Sequence, residues 1–233
     1  GTDLETSHWG AQLAASDPRV LAAVALHPNE APRLAAQGLL DEHLSGIAAL
    51  AAQPRVRAVG ETGLDFYRTG EDGRAAQHAS FEAHIDIAKA HGIALQIHDR
   101  DAHAAVVETL LRVGAPAGTV FHCFSGDAEL ARMCNDHGWY MSFAGTMTFK
   151  NAPALREALT VADPSLVLVE TDAPFLTPEP FRGRPNAPYL LPHTVRRMAE
   201  VLGVALEELC ARLAANTERV YGAWAQAGAG ERS

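Results

Sequence analysis

Five histidine or acidic side chains stand close behind short apolar segments of the sequence. They are His27, Glu61, His98, His122 and Asp172. Imidazole and carboxylate groups are common ligands of Zn²⁺, Mn²⁺ or Mg²⁺, and a site with two metals needs a carboxylate between them. A single histidine after a strand is more often a structural residue of the core or of a loop. Because four of these residues, at positions 61, 98, 122 and 172, follow separate segments, we expect them to converge on a metal site.

The segment 56–65, V-R-A-V-G-E-T-G-L-D, illustrates this pattern of an apolar run followed by an acidic residue. The apolar run 56–59 is too short for a helix and predicts a buried strand that ends near Gly60. Glu61 follows, between Gly60 and Gly63, whose lack of a side chain lets the backbone bend. A surface turn with a solvated carboxylate is the alternative, and the repetition of the pattern along the chain favours a functional site.

The elements that would position these residues alternate along the chain. Helical patterns occupy 5–16, 32–53 with a break near Gly38 or Gly46, 71–91, 102–113, 127–137, 151–159, 193–202 and 206–221. Apolar strands are predicted at 20–26, 56–59, 93–97, 118–121, 139–143 and 166–169. Alternation of this kind predicts a parallel sheet covered by helices, and parallel sheets bind ligands at the carboxyl ends of their strands. The polar strand ends should therefore meet at one edge.

Composition narrows the class of protein. The 233 residues are 48% hydrophobic and contain no low-complexity linker, so we expect one domain over 1–233 with a frayed tail at 227–233. The net charge of −9 argues against a broad surface that coats nucleic acid, although a local basic patch or a metal remains compatible with it. No apolar run approaches about 20 residues and no leader is visible, which predicts a cytoplasmic protein without membrane contact. The three cysteines are expected to be reduced thiols.

Two common catalytic or phosphate-binding motifs are absent, and two arginines could bind phosphate. Ser125 follows His122, but the G-x-S-x-G elbow of serine hydrolases is absent. The phosphate loop G-x-x-x-x-G-K-[ST] is also absent. Arg182 and Arg184 lie in a proline-rich loop at 177–192, where they are either solvated or recognise phosphate.

Six segments in the same order resemble the TatD family of metal-dependent deoxyribonucleases and related hydrolases. They are V-A-L-H-P (24–28), G-E-T-G-L-D-F-Y (60–67), I-H-D-R-D-A (97–102), F-H-C-F-S-G (121–126), E-T-D-A-P-F-L (170–176) and R-G-R-P-N-A-P (182–188). The resemblance covers nearly the whole chain. It implies a (β/α)8 barrel of the TIM type, one or two divalent ions (Mg²⁺, Mn²⁺ or Zn²⁺), and hydrolysis of phosphodiesters, often as a 3'-5' DNA exonuclease.

The same resemblance implies a role for each site residue. Glu61 would be the bridging ligand and part of the catalytic pair with Asp172, which would bind metal and act as base. His98 and His122 would be ligands of one metal. His27 would bind the substrate, which is DNA or another phosphodiester. Independently of the resemblance, the arginines of the loop 177–192 suggest Arg182 as a second substrate contact, and we expect a monomer.

The chain departs from the family pattern at its start. The family opens with an H-x-H pair of metal ligands, which is absent from this sequence, and six strands are predicted instead of eight. We therefore expect a member that lacks its first two β/α units, with strands 20–26 and 166–169 as open edges and one metal position short of ligands. Such a chain would be poorly soluble or weakly active. Two alternatives stay open: a related esterase, acting for example on misacylated aminoacyl-tRNA, and an inactive fragment or binding module.

Overall fold

Helices and strands alternate through the computed structural model, which describes residues 1–224. The helices are α1 (Leu4–Ser16), α2 (Ala31–Ala36), α3 (Leu40–Ala51), α4 (Glu71–His91), α5 (His103–Val113), α6 (Ala128–His137), α7 (Pro153–Val161), α8 (Leu191–Leu202) and α9 (Leu206–Tyr221). The strands are β1 (Ala22–Val24), β2 (Val56–Asp65), β3 (Ala94–Arg100), β4 (Thr119–Phe121), β5 (Tyr140–Phe143) and β6 (Val167–Val169). The tail expected at 227–233 lies outside the described residues.

The six strands form one sheet in which every neighbouring pair is parallel. Their order in space is their order in the chain, from β1 to β6. Within residues 1–224 the sheet stays open, so β1 and β6 are its two edges. This arrangement confirms the α/β class, the six strands and the two edges expected from the sequence, and it brings all the strand carboxyl ends to one side.

Local sequence signals explain most helix boundaries. Asp127 accepts hydrogen bonds from the backbone of Glu129 and Leu130 and so caps α6. Gly92 ends α4 in the left-handed conformation, with φ of +62°. The predicted break in the segment 32–53 falls at Gly38, where φ is +70°.

The predicted end of the second strand was wrong. β2 continues through Glu61 to Asp65 instead of stopping near Gly60. Gly63 allows this because its φ is +139° and a side chain there would overlap the carbonyl oxygen of His98. The missing side chain lets β2 and β3 stay paired as far as Asp65 and Arg100, which carries the polar residues into the sheet itself.

Buried residues of α4 anchor this helix against the sheet and contact the segment that follows β1. Phe81 and Ile85 are fully buried in the hydrophobic core. His84 lies on the same helix and is also fully buried. Its Nε2 accepts a hydrogen bond from the N–H of Leu26 at 3.0 Å, and its Nδ1 contacts the carbonyl of Ser80 at 2.6 Å. Both ring nitrogens of a neutral imidazole are thus satisfied.

Candidate metal centre

A β-bulge positions the central carboxylate. In the β2–β3 ladder Val59 pairs with Leu95 and Thr62 pairs with Ile97, so two residues of β2 stand opposite one residue of β3. Glu61 is one of these two residues. Bulges turn side chains away from the regular alternation of a strand and are common beside active sites.

Glu61 lies between two histidines that come from separate strands. Its Oε2 is 3.3 Å from Nδ1 of His98 and 3.2 Å from Nε2 of His122. Its Oε1 is 3.9 Å from Nε2 of His27. Asp172 approaches from the end of β6, with Oδ1 3.6 Å from Nε2 of His122. The structure thus brings together the five residues that follow the predicted strands.

The clustered side chains form two groups, each with three residues that could bind a metal ion. The ligand atoms of His27, Glu61 and His98 all lie within 4.8 Å of one another. Those of the second group, His122, Cys123 and Asp172, do the same. Imidazole nitrogens mixed with carboxylate oxygens suit a divalent transition metal or Mg²⁺, and Glu61 links the two groups through His122.

A second carboxylate lies behind each of the two histidines next to Glu61. Asp65 Oδ2 is 3.3 Å from Nε2 of His98, and its side chain is only 1% exposed. Glu170 Oε2 is 3.0 Å from Nδ1 of His122, while its Oε1 accepts a hydrogen bond from the N–H of Cys123 at 2.9 Å. Such outer carboxylates fix which ring nitrogen faces a metal. The ring nitrogens that face Glu61, and could bind a metal, are Nδ1 of His98 and Nε2 of His122.

Sequence reasoning missed Asp65 and Glu170. Both lie in segments that were singled out, G-E-T-G-L-D and E-T-D, but each was passed over for the neighbouring carboxylate. The signal that was available is the second acidic residue in each segment, four positions after Glu61 and two positions before Asp172.

Neighbouring charges shift the pKa values of Glu61 and His122. Burial disfavours the charged form of Glu61, but hydrogen bonds from His122 and His98 outweigh it and hold the pKa of that carboxyl below its usual range. Burial alone would lower the pKa of His122, yet the charge of Glu170 and the hydrogen bond to Asp172 raise it well above 6.5. The surrounding carboxylates thus favour a positive charge next to Glu61, as a donor set for a cation requires.

His27 differs from the other two histidines. Burial, reinforced by the nearby charge of His98, lowers the pKa of His27 to about 4, so its imidazole is neutral at pH 7. Its Nδ1 accepts a hydrogen bond from the N–H of Asn29 at 3.1 Å. In the neutral ring the hydrogen is then on Nε2, the atom that faces Glu61.

Arg182 contacts an aromatic ring of another loop. Its guanidinium carbon is 4.1 Å from the ring centre of Phe149, over which it stacks. Within residues 1–224 it makes no hydrogen bond or ion pair with the five clustered residues. The role of Arg182 in substrate binding therefore stays a prediction.

Within residues 1–224, every helix is too short or too polar to cross a membrane.

Comparisons with known proteins identify the family of the chain. A curated relative from Mycobacterium tuberculosis, named "Uncharacterized metal-dependent hydrolase TatD", is 46% identical over 224 residues, which cover 94% of this chain and 83% of the relative. A relative from Citrobacter rodentium, named "3'-5' ssDNA/RNA exonuclease TatD", is 34% identical over 228 residues, with 95% and 84% covered.

The crystal structure of YJJV, a TatD homolog from Escherichia coli, matches with a TM-score of 0.85 at 26% identity. The match covers 96% of this chain and 85% of that one. It confirms the predicted α/β fold class, which this chain shows as an open sheet of six strands over residues 1–224. Residues 1–222 match the family model described as "TatD related DNase". The chain therefore belongs to the family of TatD-related DNases.

Proposed function

We propose that this chain is a divalent-metal-dependent hydrolase that cleaves phosphodiester bonds in single-stranded nucleic acid. The observation that carries the proposal is the position of Glu61, whose Oε2 lies within 3.3 Å of imidazole nitrogens from two different strands. Family membership supports a metal-dependent hydrolase, and the name of the Citrobacter rodentium relative supports an exonuclease.

Four residues would hold the metal: Glu61, His98, His122 and Asp172. Glu61 would bridge two positions, His98 would bind through Nδ1, and His122 through Nε2. A bound divalent ion supplies charge that polarises a phosphoryl oxygen and lowers the pKa of water. Asp65 and Glu170 would keep the two imidazoles in the orientation that the metal requires.

The remaining steps use groups of the chain itself. Asp172, whose side chain is 26% exposed, is placed to accept a proton from a water molecule at the opening of the site. As that proton leaves, the water oxygen forms a bond to phosphorus and the ester P–O bond breaks. The leaving oxygen takes up a proton from solvent, so the products are a phosphomonoester and a free hydroxyl.

His27 would recognise the substrate. Because its ring is neutral and carries a hydrogen on Nε2, it can donate a hydrogen bond to a phosphate oxygen without adding a charge. Arg182 is proposed as a second contact to phosphate, made from its stacked position on Phe149.

The test is hydrolysis of a short single-stranded oligodeoxynucleotide by protein supplied with Mn²⁺, Mg²⁺ or Zn²⁺. Wild type is compared with Asp172→Asn and with Asp136→Asn as the control variant, since Asp136 lies on α6 rather than at the strand ends. We expect metal-dependent cleavage, lost on the order of 100-fold or more in Asp172→Asn only. An aminoacyl ester is assayed in parallel. Cleavage of the ester without cleavage of DNA would contradict the proposal and favour the related esterase.

A further inference from the structure

Tyr67 and Arg100 form a stacked pair at the edge of the metal centre. The guanidinium carbon of Arg100 is 4.0 Å from the ring centre of Tyr67. Tyr67 is nevertheless 63% exposed, so the ring is covered on one side and open on the other. An exposed aromatic ring held by an arginine is a rigid stacking surface, because the pairing restricts both side chains.

The pair is tied to the metal centre through two neighbouring strands. Arg100 lies two residues after His98 on β3, and alternation along the strand places both on the same face. Tyr67 follows two residues after Asp65, which contacts His98 and pairs with Arg100 in the ladder. The N–H of Phe66 donates to the carbonyl of Arg100 at 2.9 Å, which fixes the turn that carries Tyr67.

Arg100 also has unused hydrogen-bonding capacity. Within residues 1–224 its guanidinium makes no hydrogen bond and no ion pair. Arg112 and Arg212, by contrast, pair with glutamates at 2.7 and 2.6 Å. Five N–H donors beside a site for phosphate chemistry, in a chain with a net charge of −9, are a local binding element for an anion.

We propose that Tyr67 and Arg100 form a nucleotide subsite, in which a base stacks on the open face of Tyr67 and its phosphate binds Arg100. The subsite holds the nucleotide next to the bond that is cleaved. It rests on the proposed function and adds to it the residues that recognise the base and the phosphate. A base must be unpaired to lie flat on the ring, so the subsite selects single strands and accepts every base.

The experiment separates the base contact from the phosphate contact. The substrates are a single-stranded thymidine octamer and an octamer of the same length whose nucleosides are replaced by abasic tetrahydrofuran residues. Both contain the same phosphodiester bonds. With metal-loaded wild-type protein, we expect KM for the abasic octamer to be on the order of tenfold higher, as the loss of base stacking predicts.

The variants should respond differently to the two substrates. Tyr67→Ala raises KM for the thymidine octamer to the abasic value and leaves the abasic octamer unchanged, whereas Tyr67→Phe keeps the wild-type ratio. Arg100→Gln raises KM for both octamers alike and lowers the salt dependence of binding by about one phosphate contact. Trp9→Ala is the matched control, because Trp9 is an equally exposed aromatic (66%) on α1.

The subsite is overturned if Tyr67→Ala keeps the wild-type ratio between the two octamers, or if Arg100→Gln leaves both KM values unchanged. Failure of the proposed function looks different, since wild type would then cleave neither octamer with any metal. In that case fluorescence anisotropy gives the dissociation constants of labelled octamers for the same proteins. The same pattern in those constants supports the subsite, and equal constants for the two octamers refute it.

Discussion

Replacing Glu170 with glutamine tests the outer carboxylates of the metal centre. Glu170 accepts two hydrogen bonds, from the N–H of Cys123 at 2.9 Å and from Nδ1 of His122 at 3.0 Å. A glutamine side chain has one acceptor oxygen, so its amide group would face one of these donors. His122 would then be held less firmly, with Nε2 no longer fixed toward Glu61.

The magnitude follows from the bond that is lost. A hydrogen bond to a charged group is worth about 1.5–3 kcal/mol, equivalent to roughly 10- to 150-fold in affinity. An opposing effect reduces this number. The charge of Glu170 contributes to the raised pKa of His122, so removing it lessens the competition between proton and metal for Nε2. We therefore expect the net loss of metal affinity near the lower end, about tenfold.

The assay is a titration of chelator-treated protein with Zn²⁺ in competition with a chromophoric chelator. Wild type is compared with Glu170→Gln and with Glu207→Gln, an exposed glutamate in the first turn of α9. Circular dichroism verifies that each variant is folded. A dissociation constant for Glu170→Gln within twofold of wild type would show that Glu170 does not position His122.

Three further predictions concern other parts of the chain. Gly63→Ala should destabilise the protein by about 1–3 kcal/mol in urea unfolding. It should also displace His98 and reduce activity on the order of 100-fold. The control Gly38→Ala should lower stability and leave activity unchanged. Burial lowers the pKa of His84 to about 4 from 6.5, so the unfolded chain takes up a proton first as pH falls. The contribution of His84 to stability should be complete above pH 6.5 and fall by about 1.4 kcal/mol per pH unit toward pH 4, and His84→Gln should lose this share of the pH dependence of stability. Arg182→Ala should raise KM for an oligonucleotide more than it lowers kcat.

Each of these has a contradicting result. Equal activities of Gly63→Ala and Gly38→Ala would show that β2 and β3 do not need their close approach. Identical pH profiles for wild type and His84→Gln would mean that His84 is protonated in the folded state. An unchanged KM would remove Arg182 from the substrate site.

The sequence predicted that these residues converge, because they lie at the ends of recognisable strands. Apolar runs bounded by Gly, Pro or charged residues identify strands locally, and parallel pairing then brings their ends to one edge. His27 and Asp172 come from the first and last strands of the sheet, yet both were expected at the same opening. For such residues, topology alone decides proximity.

Contacts within the site depend on geometry that no local pattern records. The bulge that turns Glu61 arises from pairing between β2 and β3, which the apolar run 56–59 does not reveal. The position of Asp65 and Glu170 behind the histidines also depends on the packing of separate strands. The stacking of Arg182 on Phe149 involves a contact between two loops, so the sequence left its role open between solvation and phosphate binding.

Metal occupancy measured by elemental analysis tests the central claim most directly. Wild type and Glu61→Gln are loaded with Zn²⁺ or Mn²⁺, dialysed together, and analysed beside a buffer blank. The account predicts at least one ion per wild-type chain and a loss of most of that metal in Glu61→Gln, because the variant lacks the carboxylate that lies between His98 and His122. Equal metal content in the two proteins, or none in wild type, would contradict a metal centre built on Glu61.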